Sequence, residues 1–424
     1  MEKCGIAVIG AGASGLMAAV CLAEELRRRG SRERILLLDA AQKPGKKLLA
    51  TGNGRCNITN RHISVRKYYG DVKTARPVLE KYPAQAVLDK FSSLGLLCRE
   101  EDEGRIYPYS AQASSVLDVL RFRLDALGTE IRCGSPVTAV KRQGKGFLLS
   151  CPNGQLYADR VVLTAGGKAS PQLGADGSGF AIARQLGHTV TPLFPSLVPV
   201  RTDPARVRSI KGMRSRGTVR LIVNGKTWQK EQGEIQFTEN GLSGICVFQL
   251  SRAVSGLAAR NGGKIPPGVA EISIDLMPEY SEKDLTEEIL RRRGLFSDLP
   301  AQELLTGLVN KRVGQEIIKL TAGRDLPDLA GKIPEKLCGR IAAAVKDFSF
   351  PCLGVMPWQN AQVTAGGIPL TEINPDTMQS RLCRGLYFAG EILNLDGPCG
   401  GYNLHWAWIT GLAAGQAAAG KKGG

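Results

Sequence analysis

The chain opens on "IAVI" at residues 6–9, apolar at every position, followed by a glycine-rich turn. Leu16, Ala19, Val20 and Ala23 then recur at helical spacing. An uninterrupted apolar run suits a strand buried on both faces. Arg27, Arg28 and Arg29 sit where cations complement a helix C-terminus, and Gly30 can close it. "RILLLDA" supplies a second buried strand ending at Asp39, so the first forty or so residues predict a βαβ unit.

Residues from about 78 to 127 read as helical, broken by a loop at "EDEGRIYPYSAQAS". Short strands follow at "TEIRC", "PVTAVKR", "GFLLSC" and "RVVLTAGG", the last again a buried run ending in glycines. From Thr191 the pattern changes. Pro192, Pro195, Pro199 and Pro204 punctuate a linker, and "GTVRLIVNGKTWQ" alternates around the hairpin signal Asn224–Gly225. Between Ser281 and about Asp347 the spacing is mostly helical. The end of the chain returns to the first style, with the buried strand "GLYFAGE" and the small-residue helix "HWAWITGLAAGQAAAG". The pattern predicts an α/β domain over residues 1–190 and 353–424. It is interrupted by an inserted substrate domain over 191–352, with a β part to about 278 and a helical part from about 279.

Composition narrows the class. The chain has 424 residues, 43% hydrophobic and 22% charged, as a soluble globular protein has. Its 11 cysteines contain no C-x-x-C pair, which argues against a disulfide framework or a metal site and fits a reducing cytoplasm. Cys4 to Ala23 carries no charge, but Gly10, Gly12, Ser14 and Gly15 at its centre read as a turn rather than a membrane span. Stable membrane insertion is therefore not expected. The net charge of +17 favours an anionic partner, and cations gather at Arg201, Arg206, Arg208, Lys211, Arg214, Arg216, Arg220, Lys226 and Lys230. A solvated sheet face is the preferred account of that run.

Chemistry enters with Gly10-x-Gly12-x-x-Gly15, between a strand and a helix and followed by an acid at the end of the next strand. Gly10 permits the tight turn, Gly12 lets a pyrophosphate reach the backbone, and Gly15 allows close helix–strand packing. The helix N-terminus offers free N–H groups to the phosphates. Asp39 can accept from the adenosine ribose. This context predicts dinucleotide binding. An FAD protein needs a second contact for the ribityl chain and flavin ring, and "LYFAGEILNLDGPCGGYNLHWA" fits, with a helix opening after Gly400–Gly401.

Together, "GAGASGLMAA", "KPGKKLLATGNGRCNITN", "GEIQFTENGLSG", "VTAGGIPLTEI" and "GLYFAGEILNLDGPCGGYNLHWAWITGLAAG" closely resemble a bacterial family of NAD(P)/FAD-dependent oxidoreductases. It includes aminoacetone-oxidase-like proteins and BaiN-type bile-acid reductases. The resemblance runs from end to end. It implies a glutathione-reductase-type FAD-binding Rossmann domain with an inserted β-barrel plus helical domain. It also implies that Gly10, Gly12, Ala13, Ser14 and Gly15 hold the pyrophosphate, and Asp39 and Ala40 the adenosine ribose. Lys46, Lys47, Thr51, Gly52, Arg55, Cys56 and Asn57 would run along the cofactor, with Val137 by the adenine and Ala165 and Gly166 beneath it. Gly390, Glu391, Gly400, Gly401, Tyr402, Asn403 and Leu404 match the ribityl and flavin segment. Two positions depart from the family pattern: Asn394 where Asp is common and His405 where Gln is common.

The sequence shows no second strand–GxGxxG–helix unit, so NAD(P)H is expected as a transient co-substrate. The resemblance implies reduction of a C=C bond conjugated to a ketone in a small, steroid-like molecule, by hydride transfer from flavin N5. A nearby acid then protonates the α-carbon. Tyr402, His405 and Cys56 are the catalytic candidates, with Tyr107 and Tyr109 as further proton donors. A flavin amine oxidase passing electrons to oxygen is the second reading. An RNA-associated flavoprotein is the third; with no separate RNA-binding module in the sequence, nucleic acid is not the expected partner.

Overall fold

A computed structural model describes residues 1–420, which divide into two compact units: 1–194 with 362–420, and 195–361. In the first, strand Glu2–Ile9 lies between parallel neighbours, Ile35–Leu38 on one side and Gly154–Leu163 on the other. Leu386–Phe388 adds to Gly154–Leu163 in parallel, and Glu130–Arg132 to Ile35–Leu38. Ile6, Ala7, Val8, Leu36, Leu37, Val161 and Val162 are fully buried, as a strand covered on both faces requires. The antiparallel strands Ala139–Gln143 and Gly146–Cys151 complete the seven-stranded sheet.

Helix Ala13–Arg28 follows the first strand, as its spacing predicts. It packs against the C-terminal helix Tyr402–Ala418, almost all of whose residues are buried. The segment from Thr51 onward differs from the sequence expectation. The expected loop at residues 101–114 holds strand Arg105–Pro108, which pairs with Thr59–Asn60 and Cys98–Glu100 in a small antiparallel sheet. Each strand is two to four residues long, too short for a period-2 signal.

The second unit is a seven-stranded antiparallel sheet, built around the hairpin Arg214–Val223 and Lys226–Phe237, with helices against it. Strand Gly354–Val355 pairs with Val200–Arg201, which keeps the chain past residue 352 in this unit. The region expected to be all β also holds helix Ile245–Arg260, whose buried Cys246, Val247, Leu250 and Val254 face the core. Helices Glu282–Leu295, Lys311–Ala322 and Glu335–Lys346 form the helical part. Among the described residues no helix is long and apolar enough to cross a membrane.

Candidate functional site

The first glycine turn separates packing from binding. A Cβ at Gly15 would lie 1.8 Å from the Gly10 carbonyl oxygen and 2.6 Å from Thr164 Oγ1, so helix and strand approach too closely for any side chain there. A Cβ at Gly12 would meet nothing within 4 Å. Its backbone is open to a ligand. Helix Ala13–Arg28 has no side-chain cap and no acid in its first turn, leaving its N-terminal N–H groups and dipole to an outside anion. These are the features a pyrophosphate needs.

Asp39 ends the second strand half-buried and draws the neighbouring loops together. Its Oδ2 accepts from the Ala11 N–H at 2.6 Å and its Oδ1 from the Ala41 N–H at 2.7 Å, with Ala40 exposed between. Val137 is buried, and Ala165 and Gly166 follow the strand that ends at Leu163.

A polar cluster joins four distant segments. Lys47 Nζ donates to Glu391 Oε2 at 2.7 Å and to the Ala169 carbonyl at 3.1 Å. Glu391 Oε1 accepts from the Thr364 N–H at 2.8 Å, and Thr364 Oγ1 accepts from the N–H groups of Lys168 (2.8 Å) and Ala169 (3.0 Å). Lys47 and Glu391 are singled out in the sequence. Thr364 and the 168–169 turn are not, although "VTAGG" contains Thr364; a lone threonine gives no motif signal. Lys46 is exposed on the short helix Lys46–Ala50.

The loop 51–57 turns sharply, with Gly52 and Asn53 both left-handed. Thr51 Oγ1 donates to the Leu48 carbonyl at 2.6 Å. Arg55 lays its guanidinium 4.1 Å from the centre of the Tyr107 ring and pairs with Glu101. Asn57 latches the C-terminal segment. With its amide turned so that donors meet acceptors, it donates to the Thr59 carbonyl at 2.9 Å and the Ile106 carbonyl at 3.2 Å, and accepts from the Gly401 N–H at 3.2 Å. Gly401 has φ +98°, and a Cβ there would lie 2.5 Å from the Thr59 oxygen. Asn60, missed in the sequence, donates to the Gly400 carbonyl at 2.9 Å. Asn403 holds the Gly397 N–H and carbonyl at 2.9 and 2.8 Å, and Leu404 is half-buried beside it. Gly390 donates its N–H to Thr410 at 2.9 Å.

Two catalytic candidates are fully buried. Cys56 is 0% exposed and burial pushes its thiol up to about 12, so it has no surface to offer substrate or cofactor. His405 is also 0% exposed. Its Nδ1 meets Thr59 Oγ1 at 2.9 Å and its Nε2 the Tyr82 carbonyl at 3.1 Å, which fixes the Nε2–H tautomer with Nδ1 accepting. Burial lowers its pKa to about 4, so the ring is neutral and structural. Tyr402 is buried with its hydroxyl donated to the His62 carbonyl at 3.3 Å. Tyr109 is exposed, with Arg99 above its ring.

A largely parallel sheet with an open glycine turn, an uncapped helix and a second glycine-rich strand end defines a dinucleotide-binding Rossmann domain. The chain belongs to the HI0933-like family: the HI0933-like protein Rossmann domain matches residues 4–417. It is 37% identical over 98% of both chains to a protein of Clostridium scindens named 3-dehydro-bile acid delta(4,6)-reductase. It is 27% identical, again over 98% of each, to an Escherichia coli protein named ribosomal RNA dihydrouridine synthase. Among solved structures, an E. coli quinol fumarate reductase matches with a TM-score of 0.50 at 16% identity, over 99% of this chain and 70% of that one, a likeness of fold.

Proposed function

We propose that the protein uses NAD(P)H to reduce a C=C bond conjugated to a carbonyl group in a steroid- or bile-acid-like enone. The observation that carries this reading is the full-length similarity to a reductase named for such a substrate. FAD, once reduced by NAD(P)H, would supply the hydride for the β-carbon of the conjugated system. The chain's own residues hold and orient. The open Gly12 backbone and the N–H groups of Ala13 and Ser14 take the pyrophosphate, and Asp39 takes the adenosine ribose. The Lys47–Glu391–Thr364 cluster would hold the ribityl region, and the N-terminus of helix Tyr402–Ala418 would favour negative charge on the flavin through its positive dipole end.

We assign the proton for the α-carbon to Tyr107, whose ring lies beside Gly52 and 4.1 Å from the Arg55 guanidinium, against the loop proposed to run along the cofactor. Burial raises its pKa further, so its hydroxyl stays protonated. Tyr107→Phe is expected to retain FAD and reduction by NAD(P)H, while enone turnover falls about 10²-fold or more. Unchanged turnover would remove Tyr107 from the reaction.

A second reading is favoured by the +17 charge and by the relative named for ribosomal RNA. The C5=C6 bond of uracil is itself conjugated to the C4 carbonyl, so the same hydride and proton transfers would give dihydrouracil. Anaerobic incubation with NADH or NADPH and a panel of 3-oxo-Δ4 steroids, bile-acid enones and uridine oligomers decides between them. A gain of two hydrogens in a steroid supports the first reading; the same gain only in a nucleoside supports the second.

A further inference from the structure

The second unit exposes an aromatic side chain that its core does not use. In the hairpin Arg214–Val223 and Lys226–Phe237, Leu221 faces Gln229 but Ile222 faces Thr227. Trp228 is the extra residue of a β-bulge, the device that turns a side chain out of a ladder. The turn that sets this register has positive φ at both Asn224 and Gly225, as a two-residue hairpin loop prefers. Val219, Leu221, Ile235 and Phe237 bury the inner face, whereas Trp228 remains 54% exposed. It is the only large hydrophobic side chain exposed on the hairpin among the described residues.

Cations gather at the indole's end of the hairpin. Arg260, at the end of helix Ile245–Arg260, holds its guanidinium 5.9 Å from the ring centre. Lys226 is exposed and stands across from Val223, on the face that Leu221 and Gln229 share. Lys230 stands across from Arg220 on the opposite face, a like-charge arrangement that costs stability. Of the hairpin's acids, Glu234 pairs with Arg214 at 3.1 Å, while Glu231 accepts from the neutral Gln229 amide at 2.9 Å and keeps its charge. Among the described residues Lys226, Lys230 and Arg260 make no ion pair. A lone exposed indole among unpaired cations suits stacking on a base with phosphates on either side. Membrane docking would instead call for several apolar neighbours.

We propose that this bulged hairpin binds single-stranded RNA, with Trp228 stacked on a base and Lys226 and Arg260 neutralising flanking phosphates. The proposal rests on the uracil reading of the reaction. The test is fluorescence anisotropy of the full-length FAD-loaded protein with a labelled oligouridine of about 12 nucleotides, across a salt series. Trp228→Ala should weaken binding about tenfold with Trp228→Phe near wild type, as loss of one stacked base implies. A Lys226→Glu/Arg260→Glu double variant should lower the salt slope by about 1.4 for two phosphates. FAD content and circular dichroism should match wild type in all three. Wild-type affinity and slope in the variants would overturn the proposal, as would absence of wild-type binding at low salt. Trp228-dependent pelleting with phosphatidylserine vesicles in place of oligouridine binding would also overturn it. Dihydrouridine formation with NADPH, read by nucleoside mass spectrometry, separates the two claims. Hairpin-dependent binding without dihydrouridine sinks the uracil reading alone, and dihydrouridine with hairpin variants that bind normally sinks this inference alone.

Discussion

Gly12 and Gly15 lie in one turn of sequence yet answer to different forces, and a methyl group tells them apart. Gly12→Ala puts its methyl in open space, so the apo protein should melt as wild type does while FAD affinity falls at least tenfold, measured by flavin fluorescence titration. Gly15→Ala drives its methyl into the Gly10 carbonyl, and thermal melting should show a loss of ~3 kcal/mol or failure to fold. Asn57→Ala frees the Gly401 N–H and removes a donor from the Thr59 and Ile106 carbonyls, so flavin should be retained less tightly in dialysis. His405 carries a pH dependence. Its folded pKa of about 4 lies below its ordinary 6.5, so the unfolded chain binds the extra proton and stability falls as pH drops from about 6.5 toward 4. The loss approaches about 3 kcal/mol, and His405→Gln should flatten that part of the urea-melt pH profile. The turn glycines and Asp39 were legible because their spacing is itself the mechanism. Burial was not legible for Cys56 and His405, because residue type does not carry it: both belong to a suggestive motif, and both are fully buried.

At the scale of elements, two helices meet through small residues. A Cβ at Gly411 would lie 2.5 Å from the Ser14 carbonyl oxygen, and one at Gly415 would lie 2.3 Å from that of Ala18. This contact presses helix Tyr402–Ala418 against Ala13–Arg28 and so couples the two proposed cofactor segments. Gly411→Val should therefore lower both thermal stability and FAD content, whereas Gly12→Ala lowers only the latter. The helices and buried strands of the α/β unit followed from their periodicity. Strand Arg105–Pro108 did not, because it is short and is reached through a turn with Glu103 at φ +59°, a conformation no residue type announces there. Helix Ile245–Arg260 was hidden for another reason. It follows Gly244 without a side-chain cap, so nothing in the sequence marks its start.

For the whole molecule, sequence and fold agree on an FAD domain interrupted by an inserted unit, with the flavin segments lying far apart in the chain. Lys47, Thr364 and Glu391 meet only through the tertiary fold, and only part of that cluster could be anticipated. The central claim is that electrons pass from NAD(P)H through bound flavin to a conjugated C=C bond. It is tested most directly by reducing the FAD-loaded protein with NADPH or NADH under argon and then mixing it with an enone bile acid while following flavin absorbance. The account predicts prompt return of the oxidised flavin spectrum without oxygen, with one equivalent of product gaining two hydrogens. Flavin that stays reduced until air is admitted, with peroxide released and every conjugated acceptor unchanged, would contradict it.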